Sequence, residues 1–202
     1  MSTGRINNKE SSVLYHQRFV QLARMGIFVF HAGDLANLWK IRNRNTLYTT
    51  LKRYVKSGLL HRIYKGLYSL KPIEQIDPFL LGVKALHKYA YISAETILAQ
   101  AGIIQQIIGQ ITLVSSQSKR FSIGGNHYYS RKLADQFLYN PIGINEGYGV
   151  KKATMERAAA DLLYFNPYAN FDAEKFINWR KIKYIQKQIG YPLTTNRYPK
   201  KL

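Results

Sequence analysis

After Ser57-Gly58 the apolar spacing of this chain changes from the three-and-four step of a helix to the alternation of a strand, and that switch limits the folds open to the residues around it. Three helical segments precede it. The first begins at Ser12, carries Val13, Phe19, Val20, Leu22 and Ala23 as an apolar stripe, and stops at Gly26; residues 1–11 read as a polar, mobile lead. Ile27 to Phe30 is a short β-prone run. The second helix covers about Ala32 to Trp39, with Leu35, Leu38 and Trp39 inward. The third covers about Asn45 to Lys56 and follows a polar turn, Arg42-Asn43-Arg44-Asn45. Beyond Gly58, Leu59 to Tyr64 and Leu67 to Leu70 read as two strands joined by Lys65-Gly66, and Lys71 to Ile76 as a linker. Three helices followed by a tight hairpin is the winged helix-turn-helix arrangement, whose third helix enters the major groove while the hairpin lies along the backbone.

The third helix tests that expectation. At about 100° per residue, Leu47, Leu51, Tyr54 and Val55 fall on one side, with Thr50 at the margin. Asn45, Thr49, Lys52, Arg53 and Lys56 fall on the other, flanked by Tyr48. A solvated helix face usually mixes both signs of charge, and this one holds three cations and no acid. Arg42 and Arg44 add charge at the N-terminal end, where the helix dipole already favours a phosphate. On the hairpin, Arg62 and Lys65 are placed for backbone contact, and Gly66 allows the positive φ of a tight turn. Asn45 can pair with adenine and Arg44 or Arg53 with guanine, contacts that discriminate by about 1–3 kcal/mol. Lys52, Lys56, Arg62 and Lys65 suit phosphates, which supply affinity rather than sequence choice.

Composition agrees with a polyanionic partner. Thirty Lys and Arg against eleven Asp and Glu give a net charge of +19, the footprint of a nucleic-acid-binding protein. Residues 1–70 carry +10, residues 71–150 only +2, and residues 151–202 carry +7, so the two ends are basic and the middle nearly neutral. The absence of cysteine excludes disulfides and thiolate metal sites. Met1 to Glu10 lacks the apolar stretch of a signal peptide, and the uncharged run Thr96 to Ser118 is interrupted by Gln100, Gln105, Gln106, Gln110 and Gln117, which makes it a poor membrane span. A cytoplasmic location without membrane contact is expected.

The remainder mixes element types. Pro78 to Tyr89 and Ala94 to Gly102 look helical, Ile111 to Ser115 is a strand, and Arg120 to Arg131 makes two strands about Gly124-Gly125-Asn126. Ile142 to Val150 is strand-like. Ala153 to Phe165 is a patterned helix with Met155, Ala158, Ala159, Leu162 and Leu163 on one face, and a further helix spans about Ala173 to Ile189 before a basic tail. The expected fold class is α+β: a winged helix-turn-helix at about 12–72, then a mixed α/β domain at about 76–202 ending in a basic helix and tail.

The segments Phe30 to Ala36, Leu47 to Leu51 and Tyr54 to Tyr68, with Arg62-Ile-Tyr-Lys-Gly-Leu-Tyr68 the most recognisable, resemble the N-terminal domain of AbiEi-family antitoxins of type IV toxin–antitoxin systems. Tyr91 to Leu98 and Ala153 to Leu163 resemble that family's C-terminal segments, so the likeness spans most of residues 13–165. The resemblance implies a transcriptional autorepressor that binds double-stranded DNA at inverted repeats in its own promoter. It also implies that the C-terminal domain counters a separately encoded nucleotidyltransferase-type toxin without a stable complex, and that Glu156 and Arg157 are structural or regulatory. The segment after Phe171, with Lys175, Arg180, Lys181, Lys183 and Lys187, has no counterpart in the likeness.

Other classes are less well served. A stand-alone winged-helix regulator or an RNA-binding protein would need no toxin. His16, His31, His61, His87 and His127 lie in unlike elements without metal-ligand spacing, so no metal site is expected. Gly124-Gly125-Asn126 lacks the Lys-Ser/Thr of a P-loop. Asp172 and Glu174, followed directly by Lys175, miss the acid–spacer–lysine pattern of many nucleases by one residue. A metal-dependent nuclease is the leading enzymatic alternative. No catalytic residue and no cofactor is assigned.

Overall fold

The N-terminal helices end where the backbone turns left-handed. Gly26 (φ 64°) follows α1 (Asn8–Arg24), Lys40 (φ 53°) follows α2 (Ala32–Leu38), and Gly58 (φ 73°) follows α3 (Arg44–Lys56). At Lys40 the turn is a Schellman motif: the N–H of Ile41 donates to the carbonyl of Ala36 (2.9 Å) and that of Lys40 to Asn37 (3.2 Å). The computed structural model describes residues 8–105 and 109–194, with side chains from Val13 onward. Residues 1–7 of the expected lead, Gln106, and the basic tail at 195–202 lie outside the described residues.

The chain is α+β and divides into two compact units, Met1–Ile76 and Asp77–Leu202. In the first, β1 (Val29–His31), β2 (His61–Tyr64) and β3 (Leu67–Ser69) form an antiparallel sheet in the order β1-β3-β2. The expected β-prone run thus pairs with the returning strand of the hairpin. Its core joins Leu22, Phe30, Leu35, Trp39, Leu47, Leu51, Tyr54, Leu60 and Tyr68, drawn from all three helices and the sheet. Ile73–Gln75, within the expected linker, is one turn of 3-10 helix. Two details of α1 differ from expectation. It begins at Asn8, not Ser12, and Val13, Val20 and Ala23 face solvent, because only Leu22, with Tyr15 and Phe19 beside it, reaches the core.

The second unit is built on a six-stranded sheet in the order β6-β7-β5-β4-β9-β8. Its strands are β4 (Ala90–Ile92), β5 (Ile111–Ser115), β6 (Lys119–Ile123), β7 (Asn126–Lys132), β8 (Ile144–Gly147) and β9 (Val150–Ala153). The hairpins β6–β7 and β8–β9 are antiparallel. β4 joins the two halves, antiparallel to β5 and parallel to β9, and β5 runs parallel to β7. The helices are α4 (Pro78–Leu86), α5 (Glu95–Gln100), α6 (Asp135–Leu138), α7 (Met155–Phe165) and α8 (Trp179–Ile189). Gly82 admits the Tyr128 ring to α4: a Cβ there would collide with Tyr128 Cε1. Asp77 and Thr154 cap α4 and α7 with side-chain oxygens that accept first-turn N–H groups.

Sequence patterning misplaces three boundaries here. α4 stops at Leu86 because His87 adopts φ 50°, which leaves Tyr89 outside the helix. The run Ile142 to Val150 spans the turn between two strands. The helix expected from Ala173 starts at Trp179, capped by Asn178: Glu174–Phe176 makes one turn of 3-10 helix, and the extended backbone of Ile177 (φ −83°, ψ 126°) separates that turn from α8. Among the described residues no helix is long and apolar enough to cross a membrane.

Candidate nucleic-acid interface

The inner side of α3 fixes which side is left outward. Leu47, Leu51 and Tyr54 are buried, at i, i+4 and i+7. The Tyr54 ring stacks on Tyr15 of α1 at 4.1 Å and lies 5.4 Å from Trp39 at the end of α2. Its hydroxyl donates to the Tyr15 carbonyl at 2.7 Å, and burial pushes its pKa up to about 12. Tyr15 Oη shares a 2.6 Å hydrogen bond with Ser57 Oγ, which itself donates to the Tyr54 carbonyl (3.0 Å). Both neighbouring helices therefore lock the C-terminal half of α3 in rotation.

What remains outward is the face expected from the wheel. Arg44, Asn45, Thr49, Lys52, Arg53 and Lys56 are exposed, and Tyr48 is half-buried at their border. They extend along about 18 Å of helix, at 1.5 Å per residue. Arg44 is the first residue of α3, one position earlier than the expected start, and Arg42 is exposed just before it. Asn43 is the N-cap: its Oδ1 accepts from the N–H groups of Asn45 (2.9 Å) and Thr46 (3.1 Å). Two first-turn donors are thus already taken, and an anion at this end would meet mainly the guanidinium groups of Arg42 and Arg44.

The hairpin carries the other two residues. Arg62 and Lys65 are exposed, and Gly66 turns the chain with φ 92°. The β2–β3 register slips between Arg62, opposite Tyr68, and Tyr64, opposite Leu67. This bulge increases local twist at the tip. Burial raises the pKa of Tyr68, and neighbouring Arg62 opposes the shift. Among the described residues none of the ten positions, Arg42 through Lys65, is ion-paired. Of the acids in the first unit with described side chains, Asp34 accepts the His31 N–H at the start of α2 (3.2 Å) and Glu74 is exposed in the 3-10 turn. One cation was not anticipated. Lys40 is exposed in the turn leading into α3, at a left-handed position that glycine would fill more readily.

Of the carboxylates flagged by sequence, Glu174 is exposed, and Asp172 and Glu156 are engaged elsewhere. Asp172 Oδ2 accepts the Gln105 N–H at 2.7 Å, and Glu156 pairs with Lys181 at 2.8 Å. Asp161 is wholly buried and pairs with Arg157 Nε at 2.9 Å, while the hydroxyls of Tyr91, Ser93 and Tyr191 donate to it (3.0, 2.7 and 2.8 Å). Arg157 Nη1 donates to the carbonyls of Asn140 and Ile142, and Nη2 to Tyr91 Oη and the Phe137 carbonyl. Among the described residues no group of three or more His, Asp or Glu is arranged to hold a metal ion.

No protein-family model matches the sequence, and no curated protein matches it. Among solved structures, the chain is similar to the crystal structure of the RV2827C protein from Mycobacterium tuberculosis. The two are 12% identical with a TM-score of 0.50, and the match covers 90% of this chain and 73% of that one. Likeness at that identity bears on the fold alone.

Proposed function

We propose that the first unit is a winged helix-turn-helix that binds duplex DNA, with α3 in the major groove and the β2–β3 hairpin on the backbone, and that the chain is a transcriptional autorepressor. The outer face of α3 carries the reading. It is an exposed row of Arg44, Asn45, Thr49, Lys52, Arg53 and Lys56 with no carboxylate on it, held in one rotation by Tyr54. A helix of about 10–12 Å diameter fits a groove about 12 Å wide. Asn45, Arg44 and Arg53 are the base-reading candidates. Lys52, Lys56, Arg62 and Lys65 have the chemistry of phosphate contacts, with Arg42 beside them. Tyr48 and Thr49 border the row and can add hydroxyl contacts.

The antitoxin part of the proposal, opposition to a nucleotidyltransferase-type toxin without a stable complex, rests on the resemblance of Phe30 to Tyr68, Tyr91 to Leu98 and Ala153 to Leu163 to AbiEi antitoxins. The test is a footprint on the chain's own promoter. Protection over an inverted repeat, abolished by Asn45→Ala combined with Arg53→Ala, is the expected result; an unprotected promoter would sink the autorepressor reading. For the toxin, a neighbouring reading frame is expected to encode a nucleotidyltransferase-like product whose toxicity co-expression of this chain relieves.

A further inference from the structure

We infer that the outer face of α8 is a second phosphate-backbone contact for duplex DNA, in a part of the chain that the resemblance does not reach. The helix is anchored by Ile182, Ile185, Gln186 and Ile189, all buried. Opposite them on the wheel lie Arg180, Tyr184 and Lys187, all exposed, with half-buried Lys183 at the border of that face. No acid occurs between Trp179 and Ile189. The nearest paired carboxylate, Glu156, holds Lys181 at the margin of the face and leaves the other three cations without an ion pair among the described residues.

Helix stability accounts for Lys187, which suits the dipole in the last turn, but not for the row as a whole. Arg180–Lys183 and Lys183–Lys187 are like-charge pairs at i, i+3 and i, i+4, which weaken a helix. Arg180 also sits in the first turn, where a cation opposes the helix dipole. Successive cations rise by about 4.5–6 Å along the axis, a spacing suited to following a phosphate chain.

Charge complementarity selects the occupant. A membrane-surface helix would need its apolar face free, and that of α8 is buried. Single-stranded RNA would call for a row of stacking rings, and the face offers one, Tyr184. Point charges on a rigid helix fit the uniform backbone of a duplex. The choice of DNA rests on the reading of the first unit.

The test uses the full chain in a two-by-two comparison. Arg180→Gln/Lys183→Gln/Lys187→Gln is made alone and combined with Lys52→Ala/Arg53→Ala. Each variant is titrated with the promoter fragment and with a mixed-sequence duplex over a range of salt, and a thermal melt verifies folding. The α8 variant is expected to weaken both duplexes by the same factor and to lower the slope of log K against log salt by about two to three, one for each phosphate no longer neutralised. An Arg180→Glu/Lys187→Glu variant should weaken binding further at an unchanged melting temperature. Wild-type affinity and slope in the folded α8 variant would overturn the inference, whatever the α3 variant does. Preferential binding of single-stranded RNA or of anionic phosphatidylserine vesicles, abolished with the α8 cations, would overturn it too. Loss of binding with α8 changes but not with α3 changes would uphold the α8 surface and fell the reading of the first unit.

Discussion

In the C-terminal unit Arg157 is wholly buried and its five N–H donors all meet oxygens, one of them on the paired Asp161, whereas the cations of α3 stand in solvent with no ion pair among the described residues. The same kind of charge is used in two ways. Around Arg157 and Asp161 it cross-links α7 to β4 and its C-terminal end through Tyr91 and Ser93, to α6 through Phe137, to the segment after α6 through Asn140 and Ile142, and to the chain after α8 through Tyr191. Burial together with the Asp161 carboxylate drives the hydroxyls of Tyr91 and Tyr191 far above their ordinary pKa, so both stay protonated donors. On α3 the positive groups meet no carboxylate among the described residues and are open to an external anion. Positive charge by itself therefore says little. The carboxylate and carbonyl partners around it separate an internal strut from an exposed cationic face.

The largest effect is expected where the contrast is sharpest. Arg157→Met leaves Asp161 buried without its cation and should cost about 3–5 kcal/mol in a denaturant melt. Arg157→Met combined with Asp161→Leu should cost less than the single change, since no isolated charge is then buried. A single variant of wild-type stability would erase the distinction between the two regions.

Next in size is an alkaline transition. Tyr54 in the first unit and Tyr128 in the second are buried, and burial raises each from 10.0 to about 12. With folded values above the unfolded one, each ring stabilises fully below pH 10 and loses that contribution as pH climbs toward 12. The loss is about 2–3 kcal/mol per ring at most. Tyr54→Phe removes the titrating group, so its melting temperature should fall less steeply over that range. Below pH 10 it should cost about 1 kcal/mol for the missing hydrogen bond to Tyr15. An unchanged alkaline slope would contradict the assignment.

Lys40→Gly sharpens the comparison from the other side. Relief of the left-handed backbone should stabilise the first unit by about 1 kcal/mol, read as a higher melting temperature, while removing a cation from the approach to α3. Smallest of all, Lys52→Ala, Arg53→Ala and Lys56→Ala should each leave stability within about 0.5 kcal/mol of wild type, since these side chains are exposed and have no ion pair among the described residues. A larger loss for any of them would mean that the face is structural.

The first unit was legible in sequence because its signals are local. Period, cap and turn residues place α2, α3 and the hairpin within a residue or two, and the wheel of α3 separates Leu47, Leu51 and Tyr54 from Lys52, Arg53 and Lys56 as the structure does. The second unit hides its organisation in distant pairings. β4 is three residues long, too short to register as a pattern, yet it sits at the centre of the sheet between Leu113 to Ser115 on one side and Lys152 on the other. The buried network was illegible for a related reason. Arg157 and Asp161 stand at i, i+4, which resembles a surface ion pair, and only the folded sheet brings Tyr91, Ser93 and Tyr191 over them. The exposed Val13 and Val20 of α1 show the limit of reading an apolar stripe as a buried one.

The salt dependence of duplex binding by the wild-type chain and by Lys52→Ala tests the central claim most directly. If the outer face of α3 lies against a phosphate backbone, the slope of log K against log salt falls by about one on removing that charge, with stability unchanged. Identical slopes and affinities for the two proteins would contradict the account.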